Sequence, residues 1–316
     1  MNYYDLGQTG LRVSELCFGA LPLGPLQKNL SIEEGGRLIL KAFNDGINFI
    51  DTAEVYGTHG HIRWALERFK GPVVIATKSP ATTYEQMKTA VKKCLAELGV
   101  SQIDIFHLHA ARDSQPFVNR EGALNALLEY KAAGVIKAVG ISTHSAVAAK
   151  MAAHNDRIDI LFPLININGL GILEGGVPEM ISAIQLAQAN GKGIYAMKAL
   201  GGGTMIDNLE EKLEFVRIKA GVPVIAVGMV REVELEMNLA LFEGRAISEE
   251  LRMKAGNHQK TAKVIESLCK GCGHCVEICH SDALSLIDGK GFIDISKCLM
   301  CGYCSRECPE FAIRVI

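Results

Sequence analysis

The sequence predicts an α/β protein: a (β/α)8 barrel followed by a small C-terminal α+β unit rich in cysteine. Three observations predict it. Eight short apolar runs alternate with stretches of helical period, as in a parallel sheet covered by helices. The eight units fill residues 1–245, the usual size of such a barrel. Eight of the ten cysteines fall after residue 268.

The apolar runs are Val13–Gly19, Ile47–Asp51, Val73–Lys78, Ile103–His109, Ile136–Ser142, Ile158–Pro163, Gly193–Met197 and Val222–Gly228. Between them, Ser31-Ile32-Glu33-Glu34 and Thr82-Thr83-Tyr84-Glu85 read as capping boxes. After the second box, Met87, Val91, Cys94, Leu95 and Leu98 share one helix face, which makes Cys94 a core residue. Asn44-Asp45-Gly46, Leu98-Gly99 and Ala133-Gly134 supply helix stops. Gly19-Ala20-Leu21-Pro22, after the first run, lacks the G-x-G-x-x-G spacing of a doubly wound sheet, which favours the barrel. A polar, basic stretch over 246–267 reads as a helical connector, and 268–316 as a separate small unit.

Composition bounds the function. Of the 316 residues, 48% are apolar, enough for a full core, and the net charge is −2. That balance excludes a nucleic-acid or anionic-membrane surface. No uncharged apolar run reaches the roughly 18 residues of a membrane span. Met1-Asn2-Tyr3-Tyr4-Asp5 has neither the basic nor the apolar part of a secretion signal. The expected location is the cytoplasm, where clustered thiols hold metal in preference to forming disulfides.

The cysteines repeat. Cys269-x-x-Cys272-x-x-Cys275-x-x-x-Cys279 returns 29 residues later as Cys298-x-x-Cys301-x-x-Cys304-x-x-x-Cys308-Pro309. Ala283-Leu284 then matches Ala312-Ile313, and Leu286 matches Val315, with a hairpin-like Asp288-Gly289-Lys290-Gly291 between the halves. Three thiolates at i, i+3 and i+6 can wrap one cluster on a tight loop, while the fourth points away. Structural zinc more often takes two C-x-x-C pairs separated by a longer loop. The unit resembles the bacterial two-cluster ferredoxins. The resemblance implies one 4Fe–4S cluster on Cys269, Cys272, Cys275 and Cys308, and a second on Cys298, Cys301, Cys304 and Cys279. His280 stands where that family usually has proline. A unit this small buries too little surface to fold alone, so metal binding and folding should be coupled.

In a barrel, reactive groups sit at the C-terminal ends of strands and in the loops beyond. Asp51 ends the second run, Tyr56 lies in its loop, Lys78 ends the third run and His109 the fourth. A tyrosine titrates near 10; a neighbouring lysine lowers that value, and an aspartate holds the lysine. Such a phenol can pass a proton to a carbonyl oxygen that the histidine orients. His107 shares the face of His109 if the strand is regular. His59, His61 and His144 are expected as solvated loop residues at the mouth, able together to suit an acidic substrate.

These residues resemble the aldo-keto reductases over about residues 1–245. The resemblance rests on Leu6-Gly7-x-Thr9-Gly10-Leu11-x-Val13-Ser14, Phe18-Gly19, Asp51-Thr52-Ala53-x-x-Tyr56-Gly57 and Ala76-Thr77-Lys78. It continues through Asp104 with His109, Gly140-Ile141-Ser142, Asn166, Leu200-Gly201-Gly202-Gly203, and Gly228 with Asn238. It implies a catalytic tetrad of Asp51, Tyr56, Lys78 and His109. It implies that Ser142 holds the nicotinamide carboxamide, and that Gly19, Asn166, Gly201, Arg231 and Asn238 line the cofactor. Met197 stands where many members stack an aromatic ring on the nicotinamide. Glu234 occupies a position that some members give to a 2′-phosphate cation. NADP(H) is the family default, and Glu234 leaves NAD(H) open, as acidic residues do in NAD sites.

The expected protein is therefore an oxidoreductase that exchanges hydride between a nicotinamide and a small carbonyl or alcohol substrate. Two 4Fe–4S clusters would move single electrons to or from an external one-electron carrier. The alternative is an electron-transfer or redox-sensing protein whose barrel is only a docking scaffold.

Overall fold

The computed structural model describes residues 1–315 other than 111, 204, 206, 207 and 257–260. Eight parallel strands form one sheet: β1 (Leu16–Gly19), β2 (Phe49–Asp51), β3 (Val74–Ser79), β4 (Ile103–His109), β5 (Ile136–Thr143), β6 (Ile160–Pro163), β7 (Gly193–Ile194) and β8 (Ile225–Gly228). They lie in the order β8-β1-β2-β3-β4-β5-β6-β7. The sheet curls until Ala196, just past β7, meets Ile225 of β8 in a parallel bridge. Ala196 donates its N–H to the Val224 carbonyl and accepts from the Ala226 N–H, both at 2.9 Å.

Alternation along each strand sends one set of side chains inward. Cys17, Phe49, Ala76, Ile105, Ala138, Ile160, Phe162, Tyr195 and Val224 fill the barrel interior. The other set meets the helices in a larger cluster that includes Cys94. Below the strands, Tyr3–Asp5 pairs antiparallel with Arg12–Ser14, and this hairpin closes the bottom with Leu6, Leu11 and Val13. The predicted run Val13–Gly19 is therefore two elements. The Ser14 hydroxyl bonds the Leu16 carbonyl, and the chain turns between them. The box at Ser31 and Glu34 forms as predicted. The second forms one residue later than predicted, with Thr83 as cap and Gln86 as its partner.

Within 246–267, Glu249–Gly256 is helical, but β9 (Ala262–Val264) belongs to the small module. There β9 pairs antiparallel with β12 (Ile313–Val315), tying the two ends of the module together. β10 (Leu284–Ile287) and β11 (Lys290–Ile293) form a hairpin around Asp288-Gly289, both with positive φ, as such a two-residue turn requires. The duplication is visible in the backbone. Left-handed residues recur at the 29-residue offset: Gly271 with Met300, Gly273 with Gly302, and Asp282 with Phe311.

The module sits on the mouth of the barrel. Phe311 is fully buried against Gly171, Gly202 and the His144 ring. A Cβ at Gly171 (φ +82°) would lie 2.2 Å from that ring, so only glycine admits it. Lys198 places its ammonium 3.4 Å from the centre of the same ring. Arg112 pairs with Glu310, and Lys263 donates to the carbonyls of Pro25 and Gln27. Among the described residues, no helix is long and apolar enough to cross a membrane.

Candidate functional site

The site begins with two charges inside the barrel. Lys78 ends β3 at 1% exposure and donates from Nζ to Asp51 Oδ1 and to the Thr52 carbonyl, both at 2.6 Å. The second Asp51 oxygen accepts from Tyr195 Oη at 2.8 Å, and His107 Nε2 lies 2.7 Å from the same Oη. Because Tyr195 spends its proton on Asp51, His107 must donate from Nε2. Its Nδ1 is buried without a partner, pressed where a Cβ on Gly140 would stand 2.2 Å away. Phe162 stacks on Tyr195 at 3.9 Å, and Phe49 packs edge-on at 4.8 Å.

Tyr56 lies above this layer. Its ring meets the His109 ring edge-on at 5.8 Å, and Lys78 Nζ is 5.0 Å from its centre. β4 is regular, so His107 and His109 both face inward, one a layer beneath the other. Asp51, Tyr56, Lys78 and His109 therefore converge. Their protonation differs from the sequence expectation in one respect. Burial outweighs the lowering by Lys78, and the Tyr56 phenol is held above its usual value. Burial alone would lower the Lys78 ammonium, but Asp51 and then Tyr56 outweigh it and keep Lys78 protonated. Burial, helped by Lys78, Arg120 and Lys198, lowers His109 to about 3, so its imidazole is neutral near pH 7.

The expected cofactor residues fall in two groups. Ser142 ends β5 and is buried, and Asn166 follows β6, its amide closed on both the N–H and the carbonyl of Leu170 at 2.9 Å. Gly201, Gly202 and Gly203 run left-handed in succession, and Gly202 faces Phe311 and Arg314 of the module. Met197, just below them, packs into the barrel interior, and Gly19 lies against Gly228 across β1 and β8. In the second group, Glu234 caps the Val230 N–H and pairs with Arg231, both at 2.8 Å. Arg231 also donates to the Ala255 carbonyl, and Asn238 to the Glu234 carbonyl. The Glu234 carboxylate is thus engaged by its own loop.

Three expectations about histidine are corrected. His59, His61 and His144 are buried. His59 and His61 open a helix (His59–Leu66) packed on the barrel, where His59 bonds Glu97 and Thr77 and His61 the Leu30 carbonyl. His144 lies under Phe311. The sequence reading passed over Tyr195, Phe311 and Arg314. Tyr195 was detectable as a hydroxyl two residues before Met197 on one strand face, and Arg314 as a lone charge in an apolar terminal run.

In the module, Cys269, Cys272, Cys275 and Cys308 line one pocket, together with Val264, Leu286 and Ile313. Burial, then the thiols of Cys308, Cys272 and Cys269, push Cys275 up. Burial, then Cys279, Cys298 and Cys301, push Cys304 up to about 12. Cys308 of the second repeat thus lies in the cavity of the first, and Cys304 feels Cys279 and Cys275 of the first repeat besides its own neighbours. Backbone N–H groups point at sulfur: Gly291 and Gly271 at Cys269 (3.2 and 3.4 Å), and Ala312 at Cys308 (3.4 Å). Among the described residues, no three ligand-type side chains converge on a single point. Cys269, Cys272, Cys275 and Cys308 ring a space, and backbone N–H groups aimed at sulfur are the donors an iron–sulfur cluster uses.

Comparison with known proteins agrees with this geometry. Residues 15–270 match the aldo/keto reductase family, and 292–314 match a 4Fe-4S binding domain. A soybean protein named as a probable aldo-keto reductase is 33% identical over 156 residues, 44% of each chain. An uncharacterised oxidoreductase of Bacillus subtilis is 30% identical over 160 residues, 45% of this chain and 49% of its own. The chain thus spans about half the length of these relatives. A Pseudomonas aeruginosa structure assigned to the aldo-keto reductases superposes with a TM-score of 0.67 at 26% identity, covering 77% of this chain and 95% of that one.

Two measurements test the site. Tyr195→Phe leaves Asp51 Oδ2 and His107 Nε2 unpaired, and is expected to cost about 1–3 kcal/mol in chemical denaturation; an unchanged midpoint would show the chain of bonds to be idle. Burial also holds His59, His107, His109 and His144 below the ordinary 6.5. The unfolded chain then binds more protons as pH falls through that value, so stability present above it is lost on acidification. The melting temperature is expected to drop between pH 7.5 and 5.5, each histidine contributing up to about 1.4 kcal/mol per pH unit. A flat profile would contradict the buried neutral rings.

Proposed function

The chain belongs to the aldo/keto reductase family and carries a 4Fe-4S domain, and we propose that it is a cytoplasmic oxidoreductase acting on a small carbonyl or alcohol. The observation that carries this reading is the convergence of Tyr56, Lys78, Asp51 and His109 at the mouth, with Lys78 and Asp51 fully bonded beneath. Bound NADP(H), or NAD(H), supplies or accepts the hydride. Tyr56 donates its phenolic proton to the carbonyl oxygen, or takes it back in alcohol oxidation. Its raised pKa keeps that proton in place until substrate arrives, and the Lys78 ammonium stabilises the phenolate left behind. Neutral His109 donates a hydrogen bond to the same oxygen. Ser142 and the unspent N–H and lone pair of Asn166 suit a carboxamide.

We further propose crossed ligation of two 4Fe–4S clusters, by Cys269, Cys272, Cys275 and Cys308, and by Cys298, Cys301, Cys304 and Cys279. The shared cavity of the first set and the mutual effects within the second support it. The clusters supply single-electron transfer, exchanged with an external carrier. A role at the mouth is supported by Phe311, which follows Cys308 by three residues and is buried against Gly171, Gly202 and His144 of the barrel. The barrel is proposed to span 1–245 and the module to include 268–316; the connector expected over 246–267 is shortened, because Ala262–Val264 pairs with the last strand of the module.

Tyr56→Phe keeps the ring and loses the proton. Steady-state carbonyl reduction is expected to fall at least about 10²-fold, with nicotinamide affinity nearly unchanged; wild-type turnover would remove Tyr56 from the mechanism. Cys308→Ala, in the second repeat, is expected to damage the cluster held by the first. Iron per anaerobically prepared chain should then fall from about eight towards about four. Two tightly bound zincs and no iron in the native protein would refute cluster binding.

A further inference from the structure

The proposed chemistry gives Arg314, at the mouth, no work. It sits on β12 at 2% exposure, and neither Nε nor Nη1 has a hydrogen-bond partner. Buried guanidinium donors without a partner are costly, so a site that keeps them is one that something else completes. Nη1 reaches the turn after β7, where a Cβ on Gly202 would lie 3.1 Å away. Burial, then the charges of Arg314 and Arg112, hold Lys198 well below its usual value. Of these two arginines, Arg112 alone is paired with a carboxylate, Glu310. The charge of Arg314 also reaches Tyr56.

The iron–sulfur fold does not itself call for this residue. At the 29-residue offset, position 314 corresponds to Ser285 and position 311 to Asp282. Asp282 and Phe311 adopt the same left-handed backbone, φ 51° in both, so the repeat accepts either side chain. The first copy carries small or acidic residues at these positions; the copy that faces the barrel carries Phe311 and Arg314. The difference tracks the barrel mouth and not the cluster.

We propose that Arg314 receives a carboxylate of the substrate, so that the substrates of this barrel are oxo acids and the corresponding hydroxy acids. The assignment rests on the reductase reading above. A guanidinium gives a carboxylate several fixed donors, and Phe311 shields them from water, where such bonds are stronger. A carbonyl carried by the same molecule then lies toward Tyr56. The phosphates of a nicotinamide nucleotide are the other anions available. Their pyrophosphate lies a nucleoside away from the reacting ring, and a loss of nucleotide binding alone in Arg314→Gln is the outcome that would assign Arg314 to it.

The test uses anaerobically purified, cluster-replete full-length protein. Pyruvate and 4-oxobutanoate are compared with their uncharged amides, by calorimetric binding and by kcat/KM. The wild type is expected to prefer at least one carboxylate over its amide tenfold or more, about 1.4 kcal/mol. In Arg314→Gln that ratio is expected to fall to about one. Arg314→Lys keeps the charge without the fork and is expected to fall between. The assignment is overturned by a wild type without preference, by a preference that survives in Arg314→Gln, or by a lysine ratio equal to the wild-type one. It is also overturned if Arg314→Gln weakens only NADP(H) or NAD(H) binding, or only shifts a cluster reduction potential, with the carboxylate preference intact. If no carbonyl turns over but the binding preference disappears in Arg314→Gln, the reductase reading fails and the carboxylate site stands.

Discussion

Much of the barrel interior is arranged around one buried ion pair. Lys78 and Asp51 are both nearly inaccessible. Removing two charges from water costs several kcal/mol each, and their attraction offsets this only when every remaining donor and acceptor is bonded. Thr52 takes a second bond from Lys78, Tyr195 fills the second oxygen of Asp51, and His107 fills Tyr195. That requirement propagates. Tyr195 needs Phe162 and Phe49 to fix its ring, and His107 needs the missing side chain of Gly140. Two charged residues thus dictate an aromatic layer and a glycine drawn from their own strands and four others or their loops.

The layer above is set by the module. The small unit has a core of only a few aliphatic residues, and its own cysteines pack among them. It is anchored instead by what it inserts into the barrel. Phe311 fills the space left by Gly171 and Gly202, with His144 beneath and Lys198 across its face. The segment that leads into the terminal strand carries Cys308 at the thiol pocket and Phe311 at the barrel mouth, and the strand itself carries Arg314. A single antiparallel pairing between β9 and β12 holds that strand in place. Barrel and module therefore share a boundary made of side chains from both, and the chemistry of the mouth belongs to neither part alone.

The sequence by itself determined the eight strands, the cysteine duplication with its Asp-Gly hairpin, and the convergence of Asp51, Tyr56, Lys78 and His109. These are legible because strand alternation, cysteine spacing and the rule that barrel sites lie at strand ends are local or set by the fold class. Several details were not legible. The split of Val13–Gly19 depends on a hairpin with Tyr3–Asp5, and the burial of His59, His61 and His144 depends on helices and a module packed over them. The elevated phenol of Tyr56 depends on desolvation, which no motif records. Tyr195 and Arg314 entered the site only through tertiary structure, one across the barrel from Asp51 and the other from the far end of the chain. Periodicity states which face a residue is on; it does not state what stands opposite that face, and here the opposite partner decides the charge, the hydrogen bonds and the shape of the site.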